Sequence, residues 1–126
     1  MHKPQAQVRE FHEKLRVPSP DEPTLFGYPY QLRVDLIQEE LDEFAEACAA
    51  KDMVEMLDAI VDLLYVTYGA AVAMCVDVEP LFDEVHRSNL AKAGGPVRED
   101  GKIQKPEGWQ PPDLKGVLDR IYGVSR

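Results

Sequence analysis

The chain has 126 residues, 44% of them hydrophobic and 29% charged. That composition suits a single globular domain and excludes wholesale disorder. The net charge of −9 argues against a nucleic-acid polymer as partner, since a phosphate backbone would be repelled.

Met1-His2-Lys3-Pro4 leads into polar sequence, not into the apolar core of a signal peptide. Val8, Phe11, His12 and Leu15 recur at helical spacing and predict a first helix over residues 4–16. Residues 18–29 contain four prolines and one glycine and predict an irregular connection. Residues 31–50 read as a second helix. Asp52 with Glu55 matches a capping box, which starts a third helix running to about Met74. Pro80 fits the first turn of a fourth helix that carries Leu81, Phe82, Val85 and Leu90 and ends near Gly94-Gly95. Residues 94–112 are rich in Gly, Pro, Lys and Asp and read as loop. Asp113 is placed to cap a short last helix with Leu114, Val117, Leu118 and Ile121 on one side. No internal repeat and no convincing strand emerges, so the expectation is an all-α fold.

The longest apolar run, residues 63–76, is too short to span a bilayer, so no membrane association is expected. Cys48 and Cys75 sit in apolar helical patterns and read as reduced core residues of a cytoplasmic protein.

The charge is concentrated. Residues 35–62 hold ten acids, Asp35, Glu39, Glu40, Asp42, Glu43, Glu46, Asp52, Glu55, Asp58 and Asp62, against the single base Lys51. The remaining 13 acids and 13 bases cancel, so the whole imbalance lies in these 28 residues. Successive helical residues turn by about 100°. With Glu39 at 0°, the apolar residues of the second helix fill an arc from roughly 20° to 220°. Glu43 at about 40° and Glu40 at about 100° fall inside it, and Glu39 lies at its edge. Asp35, Asp42 and Glu46 fall outside and read as solvated. The third helix is apolar on nearly every side, the pattern of a buried helix, and Glu55, Asp58 and Asp62 share one stripe of about 60°. Glu55 also has a plainer reading, as the partner of Asp52 at the cap.

Buried ionised carboxylates are costly without a partner, and several together are worse. No nearby Lys or Arg stands ready to pair with them. A divalent cation with all-oxygen ligands answers the problem, which points to Mg²⁺, with Mn²⁺ able to substitute.

Two segments, Glu39-Glu40-Leu41-Asp42-Glu43 and Glu55-Met56-Leu57-Asp58, resemble the EExxE…ExxD signature of the all-α nucleoside triphosphate pyrophosphohydrolases. That superfamily includes MazG, the dimeric dUTPases and phosphoribosyl-ATP pyrophosphohydrolase. Residues 62–70, residues 85–92 and Lys105-Pro106-Glu107-Gly108-Trp109 resemble its MazG-like branch, and the likeness covers about residues 31–120. It implies a four-helix-bundle core over about residues 31–93, followed by a C-terminal loop and short helix over 94–126, all in one domain. It implies assembly as a homodimer or a dimer of dimers.

The implied reaction is Mg²⁺-dependent cleavage between the α- and β-phosphates of a nucleoside triphosphate, giving the monophosphate and pyrophosphate. Such chemistry would serve nucleotide-pool house-cleaning or a dUTPase-like role. Carried over by position, Glu40 and Glu43 are metal ligands and Glu39 is the candidate base. Many relatives place the final Asp of ExxD directly before the Leu-Leu-Tyr-like run. That Asp here is Asp62, with Ala59 three residues before it. Either Glu55 and Asp58 form the working ExxD, or Asp58 and Asp62 do, one turn apart, and the shared stripe does not choose between them; Asp58 and Asp62 are favoured as direct ligands, with Glu55 a further ligand or a support behind them. The family pattern also points to Asn89 and Lys92 as phosphate contacts, followed by Arg87 and Lys105. Trp109, the only tryptophan, either stacks on a base or anchors the Pro-rich tail.

Two other readings compete. A di-iron carboxylate bundle would need two Glu-x-x-His pairs, and His86 has Asp83 three residues before it. A non-catalytic helical module that dimerises through its apolar helix would keep its function when Glu43 or Asp62 is replaced.

Overall fold

The computed structural model describes residues 1–123, and the regular elements in them are all helical. They are α1 (Lys3–Lys14), α2 (Tyr30–Ala50), α3 (Met53–Val72), α4 (Glu79–Leu90) and α5 (Leu114–Tyr122). Two residues, Val97 and Ile103, form an isolated antiparallel β-bridge. Among the described residues no helix is long and apolar enough to cross a membrane. Contacts divide the chain into two compact units, Met1–Asp77 and Val78–Arg126.

In the first unit α2 packs along α3, and α1 lies on α3. The α2–α3 turn is short because each end closes itself. The Lys51 amide donates to the Cys48 carbonyl and the Asp52 amide to the Ala47 carbonyl, at 3.1 and 3.2 Å, while Lys51 takes a left-handed conformation (φ 53°). This is a Schellman motif with lysine at the position glycine favours. Asp52 then caps α3, its Oδ1 accepting from the Glu55 amide at 3.2 Å. Its own amide is already spent on Ala47, so the cap does not call on the Glu55 carboxylate. Small residues occupy the closest helix contacts, with Ala47, Ala59 and Ala71 buried. A methyl group added at Gly69 would sit 2.9 Å from an Arg33 guanidinium nitrogen and 3.4 Å from His12 Nε2. Long-range bonds tie the N-terminal segments to the end of α3. Gln5 Nε2 donates to the Val76 carbonyl and Tyr28 Oη to the Ala70 carbonyl, both at 2.7 Å. Cys48 and Cys75 are free thiols, each partly buried.

The expectation that α3 is buried all round does not hold in the single chain. Met53 and Val54 are 74% and 73% exposed, and Leu57, Val61 and Leu64 are also exposed. In this unit α3 has only α1 and α2 as helical neighbours, so one side of an apolar helix is left uncovered.

In the second unit α4 begins with Pro80 in its first turn and packs on α5. It ends at Leu90, sooner than the predicted Gly94-Gly95. The loop between the helices contains a small hairpin. The Arg98 amide donates to the Lys102 carbonyl and the Gly101 amide to the Arg98 carbonyl, both at 2.8 Å. Gly101 supplies the positive φ that the turn requires. Gly95 is constrained by space, because a Cβ there would collide with the Gln104 carbonyl oxygen. Asp113 caps α5, Oδ1 accepting from the Gly116 amide at 3.0 Å.

Candidate metal centre

The α2–α3 pair brings three of the expected acids together. Carboxylate oxygens of Glu40, Glu43 and Asp62 lie within 4.8 Å of one another. Glu40 and Glu43 are neighbours on α2 at i, i+3, and Asp62 faces them from α3. Glu40 and Asp62 are half-buried, and Glu43 opens to solvent. Glu40 Oε2 is buried with no hydrogen-bond partner among the described residues.

The electrostatics show what this crowding costs. Burial pushes the Glu40 carboxyl above the ordinary carboxylate range, and the Glu43 charge, a hydrogen bond with Glu43, and the charges of Asp62 and Glu39 push it further. Burial raises Asp62 as well, with the Asp58 and Glu43 charges adding to it. Among the described residues no cation within the cluster offsets this repulsion. Arg33 lies on α2 seven residues before Glu40, but it is buried (7% exposed) beside His12 and Gly69. His12 is held below its ordinary pKa by its own burial and by the Arg33 charge.

The other expected acids fall around this cluster. Glu43 also lines an open groove of about 440 Å³ with Glu46, Asp52, Glu55 and Asp58. Asp58 lines this groove too, and its charge adds to the raising of Asp62. Glu55 lies at the Asp52 end of the groove. Glu39 is exposed beside Glu40. Asp35 and Asp42 are on the outside as expected, each accepting from a glutamine one turn earlier. Glu46 is exposed, as expected, and also lines the open groove. Its i, i+3 spacing from Glu43 was the signal that placed it there.

These donors suit a hard divalent cation. Three converging carboxylates, with an oxygen that lacks a hydrogen-bond donor and no competing ammonium among the described residues, are what such an ion needs. Glu40, Glu43 and Asp62 could hold it directly, and Asp58 and Glu55 extend the acidic surface along α3.

The expected phosphate contacts belong to the second unit. Asn89 Oδ1 accepts from Lys92 Nζ at 3.0 Å. The Arg87 guanidinium pairs with Glu84 and reaches the Pro111 carbonyl. Trp109 Nε1 donates to the Ser88 carbonyl at 2.7 Å, which fastens the loop to α4 and favours the anchoring role for this ring. Lys105 and Lys92 lie over the same ring, 4.8 and 5.4 Å from its centre.

Comparison with known proteins agrees with the geometry. The family model described as phosphoribosyl-ATP pyrophosphohydrolase matches residues 8–89, which include every acid of the cluster and groove. An uncharacterized protein of Acanthamoeba polyphaga mimivirus is 39% identical over 98 residues, covering 72% of this chain. The chain spans about a third of that protein, 36% of its length.

Proposed function

The chain belongs to the phosphoribosyl-ATP pyrophosphohydrolase family, a MazG-like all-α family, and we propose that it is a Mg²⁺-dependent nucleotide pyrophosphohydrolase cleaving between the α- and β-phosphates. The observation that carries this reading is the convergence of Glu40, Glu43 and Asp62, with one Glu40 oxygen lacking a hydrogen-bond partner among the described residues. A bound Mg²⁺, which Mn²⁺ can replace, would neutralise charge on the phosphate oxygens of the substrate. Glu39 is exposed beside Glu40 and serves as the base that takes a proton from the attacking water. The water oxygen bonds to the α-phosphorus, the α–β anhydride breaks, and pyrophosphate leaves with the bonding electrons. Glu55 and Asp58 hold the acidic field along α3. Asn89, Lys92, Arg87 and Lys105 are proposed as phosphate contacts, with Trp109 as the anchor that holds their loop.

The proposed substrate is a nucleoside triphosphate or a close relative, and the proposed role is control of the nucleotide pool. We further propose a homodimer, or a dimer of dimers, because the α3 stripe of Met53, Leu57, Val61 and Leu64 is apolar and exposed. Free Cys48 and Cys75 suit a reducing, cytoplasmic setting. The test is a panel of nucleoside triphosphates and phosphoribosyl-ATP with Mg²⁺ or Mn²⁺, scored for pyrophosphate release. Turnover of at least one, abolished by Glu43→Ala, is expected. Turnover of none with either metal would sink the enzyme reading and leave the dimerising helical module.

A further inference from the structure

A further cavity in the first unit lies away from the metal centre. Its volume is about 340 Å³, and it sits between α1, the segment that follows α1, and the end of α3. Arg9, His12, Glu13, Asp21, Val72 and the free thiol Cys75 are on its wall. Val72 is ten residues beyond Asp62 on α3, a rise of about 15 Å. None of the acids of the metal centre lines it.

The thiol is held in place by the turn that closes α3. The Cys75 amide donates to the Val72 carbonyl at 3.0 Å and the Val76 amide to the Ala71 carbonyl at 3.2 Å, with Cys75 at φ 60°. The second observation is His12, which is only 7% exposed. Neither of its ring nitrogens has a hydrogen-bond partner among the described residues. Buried polar groups are ordinarily paired, and the cavity is the place where a partner can enter. Burial and then the Arg33 charge lower the His12 pKa, which favours the neutral imidazole that accepts a proton. A thiol must lose its proton before it reacts, so an acceptor on the same wall is what Cys75 needs.

The remaining charges are mixed. Arg9 Nε lies 3.9 Å from Glu13 Oε1, and both side chains are mostly exposed, so this pair is weak and can exchange partners. Asp21 has no ion-pair partner among the described residues. Arg9 can therefore meet a carboxylate and Asp21 an ammonium. The volume is at the small end of ligand pockets, which suits a short peptide thiol and not a protein chain.

We propose that Cys75 is a site of thiol–disulfide exchange, and that its cavity admits a small zwitterionic disulfide of the glutathione type. His12 takes the thiol proton. The thiolate attacks one sulfur of the disulfide and a bond from Cys75 Sγ to that sulfur forms. The original S–S bond breaks with its electron pair on the leaving sulfur, which departs as a thiolate and takes up a proton. Cys75 is thereby oxidised to a mixed disulfide, and the other half of the reagent is reduced to a thiol.

The full chain in a metal chelator is treated with glutathione disulfide, and peptide mass spectrometry follows each cysteine separately. Cys48, on α2 and also partly buried, is the internal comparison. Cys75 should react several-fold faster than Cys48 in the folded chain, and the two should react alike in denaturant. His12→Gln should slow Cys75 several-fold and leave the Cys48 rate unchanged. Arg9→Gln alters an exposed side chain and keeps the test open if His12→Gln fails to fold. It should slow exchange with glutathione disulfide more than with the uncharged bis(hydroxyethyl) disulfide. The proposal is overturned if Cys75 reacts no faster than Cys48, if its preference persists undiminished in denaturant, or if the folded variants react as the parent does with both reagents. The exchange needs neither metal nor nucleotide, so its outcome is independent of the nucleotide panel.

Discussion

The two units spend their charge in opposite ways. Residues 1–77 hold fifteen acids and six bases, which carries the whole net charge of −9, while residues 78–126 hold eight of each. In the first unit the acids are fixed on two packed helices, and Glu40 and Asp62 are half-buried among like charges. In the second the bases ride on a loop and stay exposed. Crowding charge on a rigid helix pair raises the free energy of the metal-free protein, whereas an exposed loop cation costs little. The first arrangement therefore carries a cost that the proposed metal would offset, and the second carries little.

The largest expected effect breaks the comparison directly. Glu43→Ala or Asp62→Asn should lower pyrophosphate release by roughly 10²-fold or more, because either change removes a proposed metal ligand. Lys105→Gln should cost about tenfold and act mainly on KM, since one exposed cation among several is lost. Steady-state kinetics on the three variants decides this. Equal losses would mean that the two units do not divide the work between metal and phosphate.

Next in size is assembly. Replacing Leu57 and Leu64 together by Glu places two charges in the exposed α3 stripe. Covering each leucine is worth roughly 1.5–3 kcal/mol, so a dimer held by this face should fall apart. Light scattering should then show the parent as a dimer or tetramer and the double variant as a monomer. A monomeric parent would remove the explanation for the bare apolar side of α3.

A subtler effect concerns pH. The folded-state pKa of Glu40 is raised, chiefly by burial and then by Glu43. A raised acid favours folding below its unfolded pKa, and that contribution is lost as pH rises through the folded value. Glu40→Gln should therefore stabilise the metal-free protein at pH 7 relative to the parent, with the advantage shrinking as pH falls toward the ordinary carboxylate range. Denaturant unfolding in a chelator at several pH values measures it. Added Mg²⁺ should reverse the order at pH 7, because the variant loses a ligand. A variant that is less stable than the parent at neutral pH without metal would show that Glu40 is satisfied as it stands.

The helices were legible because their signals are local. Apolar spacing, Pro80 in a first turn, and Asp52 and Asp113 as caps act within a turn or two of the chain. The site was legible in part for the same reason, since Glu40, Glu43 and Asp62 fall on stripes that face each other once the helices pair. Glu46 is exposed as its place outside the apolar arc implies, and what the wheel did not show is that the open groove follows the helix pair beyond that arc. The hairpin was missed because one β-bridge leaves no alternating pattern, although Asp100-Gly101 between Val97 and Ile103 was its signal. The bare face of α3 was read as buried because periodicity reports how apolar a helix is, not which chain covers it.

The units differ once more in how they close their helices and turns, and here the smallest effect is expected. The second unit puts glycine at its positive-φ positions, Gly94, Gly101, Gly108 and Gly123. The first has Gly27 in one turn but places Arg16, Lys51 and Cys75 in the turns that follow α1, α2 and α3, with φ of 56°, 53° and 60°. A side chain in that conformation costs roughly 1–2 kcal/mol, and glycine avoids this cost while losing up to about 1 kcal/mol to its freer unfolded chain. Lys51 is exposed, so few contacts are lost with its side chain. Lys51→Gly should thus stabilise the protein by about 0.5–1 kcal/mol and raise Tm by a few degrees. The same change keeps the bonds to Cys48 and Ala47 that set the α2–α3 register, so Glu40, Glu43 and Asp62 should still converge. Thermal unfolding together with activity tests both parts. A gain in Tm with lost activity would mean that the strained turn, not the helix pairing alone, holds the carboxylates in place.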